Sequence, residues 1–567
     1  MRMPLRVPGA RALVLATAWV ATVATGQVLP PGPGEVLRDT QSLPRPLEPP
    51  ARPSAPVTAP PLPAPAAAAP PLQLTVKALR FVRVGPAGPT PWTDPELEAL
   101  AAPLLGRPLG LAELQDLVLR LSEALRARGL LVARAYLPAQ QLRDGVLEIG
   151  VIEGEVGHTA VDNASAVRDA VFEALLARQL PPGAPITAAA AERAALLAED
   201  LAGVRGTTRI LLAPGADVGT SAVTLSVPSG PDWAASVGAD NYGNTYTGVY
   251  RLNGSLSWFN PLRLGDAVNL LAITSDADLW LARVGYTLPW AAYGLAFDIG
   301  YTASNYRLGR EFSALGAGGS TQVTEAGVSY ALLRRLNGVA NLRLRYEGLR
   351  LAENPDGRID LLRTVDGLAL RLDGNFWPGV ASALGYNLIL RRGRVDITNA
   401  AAAEFDAATV RTGGNFTRAY GAFNGSYGRG PVTLYGNLQG QWASRNLDPA
   451  ERMTVTGIAG VRAYAPGFAA ASAGWLANLE ARYALPGLPG QTQAVAFYDA
   501  AASRPLTEPL PRQSQTTVNL AGAGVGLTWF EPFGWQARLY VAWSLGSRPA
   551  GVEADSPRYL AQLTKAF

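Results

Sequence analysis

Side chains able to do covalent or metal chemistry are scarce in this sequence. His158 is the single histidine, and cysteine is absent from all 567 residues. A disulfide framework, a thiolate or His-rich metal centre and a Cys–His nucleophile are therefore excluded. His158 falls near the start of a small α/β segment, where it reads as a surface or linker residue. The strand-rich half of the chain has no histidine to pair with a serine. No glycine-rich loop ending in Lys-Ser or Lys-Thr supplies a nucleotide site, and no pair of carboxylates nominates itself as an acid–base couple. The 49 Lys and Arg against 45 Asp and Glu leave a net charge of +4. They are dispersed rather than striped, so no nucleic-acid surface is expected. The chain reads as a non-enzyme without metal or cofactor.

The elements that hold the polar side chains are strands. From about Asp232 to Phe567 the chain alternates apolar and polar. Tyr246, Gly248, Tyr250, Leu252, Gly254, Leu256 and Trp258 share one face, while Thr247, Arg251, Asn253, Ser255 and Ser257 share the other. The pattern returns at Asn341–Glu347, Trp475–Leu485 and Trp535–Ser544. Breaks at Gly, Pro, Asn and Asp clusters give about sixteen segments, an even number within the range of outer-membrane barrels. Short links such as Pro289-Trp290, Gly428–Pro431 and Leu485–Gly490 alternate with longer ones at Gly309–Ser320, Val395–Gly413, Asn446–Phe468 and Ala501–Ser514. A barrel that closes in lipid with no free edge has such a rhythm; a large soluble all-β region is the plainer alternative. Asn260–Asp266 (NPLRLGD) reads as a tight turn closing the periplasmic end of the second and third strands.

Ahead of the strands the chain changes character several times. Arg2, Arg6 and Arg11 precede an apolar run, Ala12–Ala24, and small residues follow, so residues 1–26 read as a secretory signal. Residues 27–71 are dense in Pro and Ala and form an extended spacer. Within them Gly34–Ser42 suits a short helix carrying Val36 and Leu37, which in isolation would be marginal. A β-α-α-β-β order then fills 72–157: a strand over Leu74–Val84, a helix opened by Thr93 and Glu96, a second over Leu111–Arg128, and strands at Val132–Leu137 and Val146–Glu153. A looser copy occupies 158–230, with helices near Ala166–Leu176 and Ala188–Leu201 and strands at Thr207–Leu212 and Thr220–Ser226. Residues 231–567 are the barrel.

Two stretches carry a family resemblance: Gly129–Gly154 (GLLVARAYLPAQQLRDGVLEIGVIEG) in the arm and Asp240–Leu270 (DNYGNTYTGVYRLNGSLSWFNPLRLGDAVNL) in the barrel. With the overall order they resemble the outer-membrane transporters of two-partner secretion, the haemolysin secretion/activation and filamentous-haemagglutinin transporter family of the Omp85 superfamily. The resemblance implies a signal peptide, a plug helix with linker, two polypeptide-transport-associated (POTRA) domains and a sixteen-stranded transmembrane barrel. Val461, Arg462, Ala463 and Tyr464 match the family's loop-six motif, and Phe497, Asp499 and Ala501 its strand-thirteen motif, with alanine at 463 and 501 where glycine is usual. A Cβ at 463 restricts left-handed backbone there. Charge and spacing alone leave Arg462 an ordinary loop arginine and Asp499 a lumen-lining carboxylate. The resemblance implies that they pair inside the barrel and anchor the loop.

The terminal Phe567, on one face with Tyr559, Ala561 and Leu563, resembles the signal read by the barrel-assembly machinery. The implied location is the bacterial outer membrane with the arm in the periplasm. The implied partner is a large secreted exoprotein of adhesin or haemolysin type, held by its N-terminal secretion domain somewhere in residues 72–230 and moved without nucleotide hydrolysis. An Omp85-like assembly factor, or a substrate-specific porin, is the alternative. An assembly factor usually carries more than two such domains, and a porin needs no arm.

Overall fold

The computed structural model describes residues 32–41, 57, 73–84, 94–354, 361–488, 490–509, 517–531, 534–546 and 556–567. The expected signal segment, most of the Pro-rich spacer and Thr93 lie outside them.

Sixteen antiparallel strands, each paired with its sequence neighbours, close into one barrel. The first, Trp233–Asp240, meets the last, Arg558–Ala566, over only five register pairs, whereas the sixth and seventh, Gly318–Arg335 and Gly338–Asn354, pair along nearly their whole length. Closure leaves no unpaired edge. Alternation then sorts the side chains. Leu252, Leu256 and Trp258 on the second strand (Arg251–Phe259) are exposed, as are Leu344 and Tyr346 on the seventh and Trp535, Leu539 and Trp543 on the fifteenth (Trp535–Leu545). The inner face buries Arg363, Arg391, Glu480, Arg482 and Asp499. Apolar outside and ionic inside is the reverse of a soluble protein, and hydrocarbon is the medium that suits it. No helix among the described residues is long and apolar enough to cross a membrane.

Two details depart from the alternation. The second strand begins at Arg251 rather than at Tyr246, because Asn244 folds the preceding segment: its Oδ1 accepts the Tyr246 amide at 2.8 Å, and it bridges Gly248. Tyr246 is thereby turned inward. Pro289-Trp290 is not a link but the end of the fourth strand (Trp280–Trp290), opposite Ala296 and Leu295, and the link is Ala291–Gly294.

The arm precedes the barrel. Helix α1 (Pro33–Thr40) is the first helix among the described residues. Strands β1 (Leu74–Thr75) and β2 (Ala78–Arg83) divide the segment expected as one strand. Helices α2 (Asp94–Ala101) and α3 (Leu111–Ala127) flank β3 (Pro108–Leu109), and β4 (Arg134–Tyr136) and β5 (Val146–Ile152) complete a sheet ordered β2-β5-β4. Leu114, Leu117, Leu121 and Leu125, at helical spacing, bury one face of α3 against it. The helix starts where Glu113 Oε2 reaches back to the Gly110 amide at 2.8 Å. The second unit follows directly, since β6 (Glu155–Asn163) begins within the segment expected to close the first. Helices α4 (Asp169–Gln179) and α5 (Ala188–Glu199) and strands β7 (Arg209–Pro214) and β8 (Thr220–Val227) give a sheet ordered β6-β8-β7. His158 is exposed on β6.

The second unit is fastened to the barrel's periplasmic turns. The Arg168 and Ala202 amides donate to the carbonyls of Arg263 and Gly265, and Gln179 Nε2 donates to Ala292 O at 2.9 Å. Arg334 Nε meets Asp200 at 2.6 Å, while Ala291 and Ala331 join the unit's hydrophobic core. The turn Asn260–Asp266 does link the second and third strands, and it is also a docking point that its turn chemistry gave no sign of.

Candidate functional site: a latched loop and a lodged helix

The site is built on the inner faces of the twelfth strand (Ala473–Ala484) and the thirteenth (Gln491–Arg504). Their register sets Asn478 opposite Asp499 and Glu480 opposite Phe497. Period two directs Leu476, Asn478, Glu480 and Arg482 inward from one strand and Val495, Phe497, Asp499 and Ala501 from the other. A strip of carboxylates, amide and aromatic ring therefore faces the lumen before any loop arrives.

Loop six, between the eleventh strand (Val432–Ala443) and the twelfth, folds back onto this strip. Arg462 Nε lies 2.8 Å from Asp499 Oδ2 and Nη2 lies 2.8 Å from Oδ1, a two-point fork. The Arg462 amide donates to Oδ2 at 3.1 Å, and Nη1 donates to Glu480 Oε1 at 2.8 Å. The guanidinium stacks 3.5 Å above the Phe497 ring. Asn478 Nδ2 donates both to Asp499 Oδ1 and to the Gly460 carbonyl, joining wall and loop a second way. Glu480 also accepts from Arg482. Arg462 and Asp499 are 1% and 0% exposed, so the charges are satisfied by one another rather than by solvent.

Val461, Ala463 and Tyr464 pack into the same cluster with Val455, Leu520, Tyr540 and Ala542. The Tyr464 carbonyl accepts from Arg558 of the sixteenth strand. Ala463 is not among the residues with positive φ, so this tip uses a backbone open to alanine. Glycine is required instead across from it: a Cβ on Gly522 would lie 2.9 Å from the Ala463 Cβ. Ala501, 3% exposed, is opposite Leu520 in the strand ladder.

Helix α1 lies within the barrel. Pro33 starts it at a position where a missing N–H costs nothing. Leu37 packs among Ile273, Val323, Leu351, Val365 and Phe416, which line the wall, and Val36 packs with Tyr246, Leu308 and Phe468. Arg38 grips loop six near its root: Nε donates to Thr454 Oγ1 at 2.7 Å, and Nη1 to Arg452 O at 2.6 Å and to Pro449 O. An eight-residue helix that would fray alone is held by burial and by this grip.

Of the residues singled out from the sequence, Val461–Tyr464, Phe497, Asp499 and Ala501 form one cluster, and Val36 and Leu37 a second contact set around α1. Phe567 is elsewhere, exchanging backbone hydrogen bonds with Ala235 at the barrel seam. Asn478, Glu480 and Arg482 escaped the sequence reading. Their signal was the polar row at period two on the inner face of the twelfth strand.

Comparison with known proteins follows the same outline. The family described as haemolysin secretion/activation protein ShlB/FhaC/HecB matches residues 219–529, and a ShlB-type POTRA domain matches 83–154. The heme/hemopexin transporter protein HuxB of Haemophilus influenzae strain 86-028NP is 24% identical over 486 residues, covering 83% of this chain and 84% of its own. Among solved structures, CdiB from Escherichia coli superposes with a TM-score of 0.72 at 20% identity, and CdiB from Acinetobacter baumannii with 0.63 at 16%; both cover all of this chain and of their own. These structures share the fold.

Proposed function

Since this chain belongs to the haemolysin secretion/activation protein family ShlB/FhaC/HecB, we propose that it is the outer-membrane pore of a two-partner secretion system. It receives a large, unfolded exoprotein in the periplasm and passes it to the cell surface. Residues 1–26 export the chain, 27–71 carry the plug and its linker, 72–157 and 158–230 are the two POTRA units, and 231–567 span the outer membrane. The POTRA units take the partner's N-terminal secretion domain, offering sheet edges to an extended segment. The family is one of transporters, and no catalytic step enters.

The observation that carries the reading is helix α1 lodged with loop six inside the barrel, behind a two-unit arm. A pore occupied by its own helix α1 and loop six conducts only once these move, which suits a channel opened by its cargo. Arg462 on Asp499 anchors the loop tip while cargo is absent. Export needs no nucleotide, because folding of the partner outside the cell biases its movement outward. Phe567 serves the barrel-assembly machinery during biogenesis.

The test is coexpression in a Gram-negative host with the large exported protein encoded beside this chain. The partner should reach the medium or the surface, and do so only with the arm and Arg462 intact. A partner left in the periplasm, with other outer-membrane proteins changed in abundance, would move the assignment to assembly.

A further inference from the structure

Loop six has a second attachment, far from its tip in sequence and made by different strands. Its root contains the short turn Pro449–Glu451. Glu451, 4% exposed, places Oε1 3.0 Å from Arg391 Nε and Oε2 3.2 Å from Arg418 Nε. Asp448, fully buried, places Oδ2 3.0 Å from Arg363 Nη1, while its Oδ1 caps the turn by accepting the Ala450 amide at 2.9 Å. The three arginines project from the eighth (Leu361–Gly379), ninth (Ser382–Ile397) and tenth (Gly414–Arg429) strands. On the wall they also meet Glu353 and Glu347. Three guanidiniums against two carboxylates leave the wall alone positive, and the loop supplies the carboxylates it attracts.

Helix α1 reads this same turn. Arg38 takes the carbonyls of Pro449 and Arg452 and the Thr454 hydroxyl, and Gly34 lies so close to Ala450 that an added Cβ would fall 2.6 Å from the Ala450 Cβ and 2.7 Å from its amide nitrogen. A contact to backbone carbonyls has the right geometry only if the turn that presents them is fixed. What fixes it is the pair of buried carboxylates on the wall arginines.

We propose that Glu451 and Asp448 are positioning residues for the stopper: they clamp the loop root to the eighth, ninth and tenth strands so that it forms the seat of helix α1. The clamp and the tip latch are separate fastenings. Breaking the clamp unseats α1 while Arg462 is still paired with Asp499. The inference rests on the reading of α1 as the stopper, and it adds which part of loop six holds the stopper closed. A purely structural wall charge would change neither the exposure of α1 nor the conductance of an assembled barrel.

The chain has no cysteine, so V36C, at a side chain 3% exposed, gives a unique probe on the helix. In the purified full-length protein in lipid vesicles, V36C should react slowly with a charged maleimide. Adding E451Q should raise that rate about tenfold or more and raise the conductance in planar bilayers, whereas E451D, which retains the charge, should restore much of both. Heat-modifiable migration checks that the barrel has assembled, and D448N replaces E451Q if it has not. Parental labelling and conductance in both E451Q and D448N, alongside an open pore on deletion of residues 33–41, would overturn the clamp and leave the stopper standing. If that deletion leaves conductance unchanged, the stopper reading falls instead. The V36C rate then decides the clamp, supporting it if raised and overturning it if unchanged.

Discussion

Replacing Arg462 by alanine should free the tip of loop six without dismantling the barrel. Breaking a buried, hydrogen-bonded charge pair by removing one partner costs about 3–5 kcal/mol. The lower end applies here, because Asp499 keeps Asn478 Nδ2 at 2.8 Å and Glu480 keeps Arg482. About 3 kcal/mol is roughly two decades in the ratio of latched to free tips. Arg462→Lys retains a charge but loses the fork and the stacking on Phe497, so roughly half that loss is expected. Hydrogen exchange reads the ratio directly, because the Gly457 and Val461 amides are bonded within the loop to Tyr464 O and Val455 O. Their exchange should accelerate about a hundredfold in Arg462→Ala and about tenfold in Arg462→Lys, with amides of the twelfth and thirteenth strands unchanged. Secretion of the partner should fall in step. Unaltered loop exchange in an assembled Arg462→Ala barrel would refute the reasoning, since the fork would then contribute nothing to holding the tip.

Other perturbations have equally definite expectations. Gly34→Val forces a side chain into the Ala450 backbone, an overpacking of about 1–3 kcal/mol, and should raise resting conductance in planar bilayers. Gly522→Ala should loosen the loop tip measurably by hydrogen exchange, because the new Cβ meets Ala463. Ala463→Gly should change it by less than about 1 kcal/mol, there being no positive φ to relieve. Burial pushes the carboxyl of Asp39, on α1 and outside the spanning strands, up to about 7, against the pull of Arg38. A carboxyl raised above its unfolded value favours the seated helix when protonated. Seating is therefore strongest below about pH 4 and weakens as pH rises through 7. Conductance should climb between those values, and Asp39→Asn should flatten the climb.

The barrel was legible because each strand solves a local problem, one face for lipid and one for the lumen, and leaves a period-two trace. The segment around Gly34 was legible as a short helix carrying Val36 and Leu37. What α1 touches was not, since an eight-residue helix is defined by its seat, and that seat is assembled from strands far along the chain. Arg462 and Asp499 were found through motif resemblance, not through charge. Glu480 and Asn478 lie on the inward row of a strand whose outward apolar row, Trp475, Leu479 and Tyr483, was read correctly, so their polarity at inward positions was available and passed over. Asp448 and Glu451 had no such trace. They sit in a loop without periodicity, and the arginines they meet belong to three strands upstream whose register only the closed barrel fixes. Tyr246 misled for the opposite reason: an apolar residue in phase with a strand that belongs to the turn before it.

The short contact between the first and last strands also bears on the surrounding lipid. The first, second, third and sixteenth strands have only eight or nine residues, whereas the seventh and eighth have seventeen and nineteen. At about 3.3 Å per residue and a tilt of about 40°, nine residues rise about 23 Å, close to the ~25 Å apolar band of an outer-membrane barrel with nothing left over. The outer collar is thus lopsided, tall on one flank and low on the other. The low flank ends about where the hydrocarbon ends, whereas the long strands of the tall flank run well clear of it. The seam, where the first and last strands share only five register pairs, therefore lies on the flank with the least wall to spare.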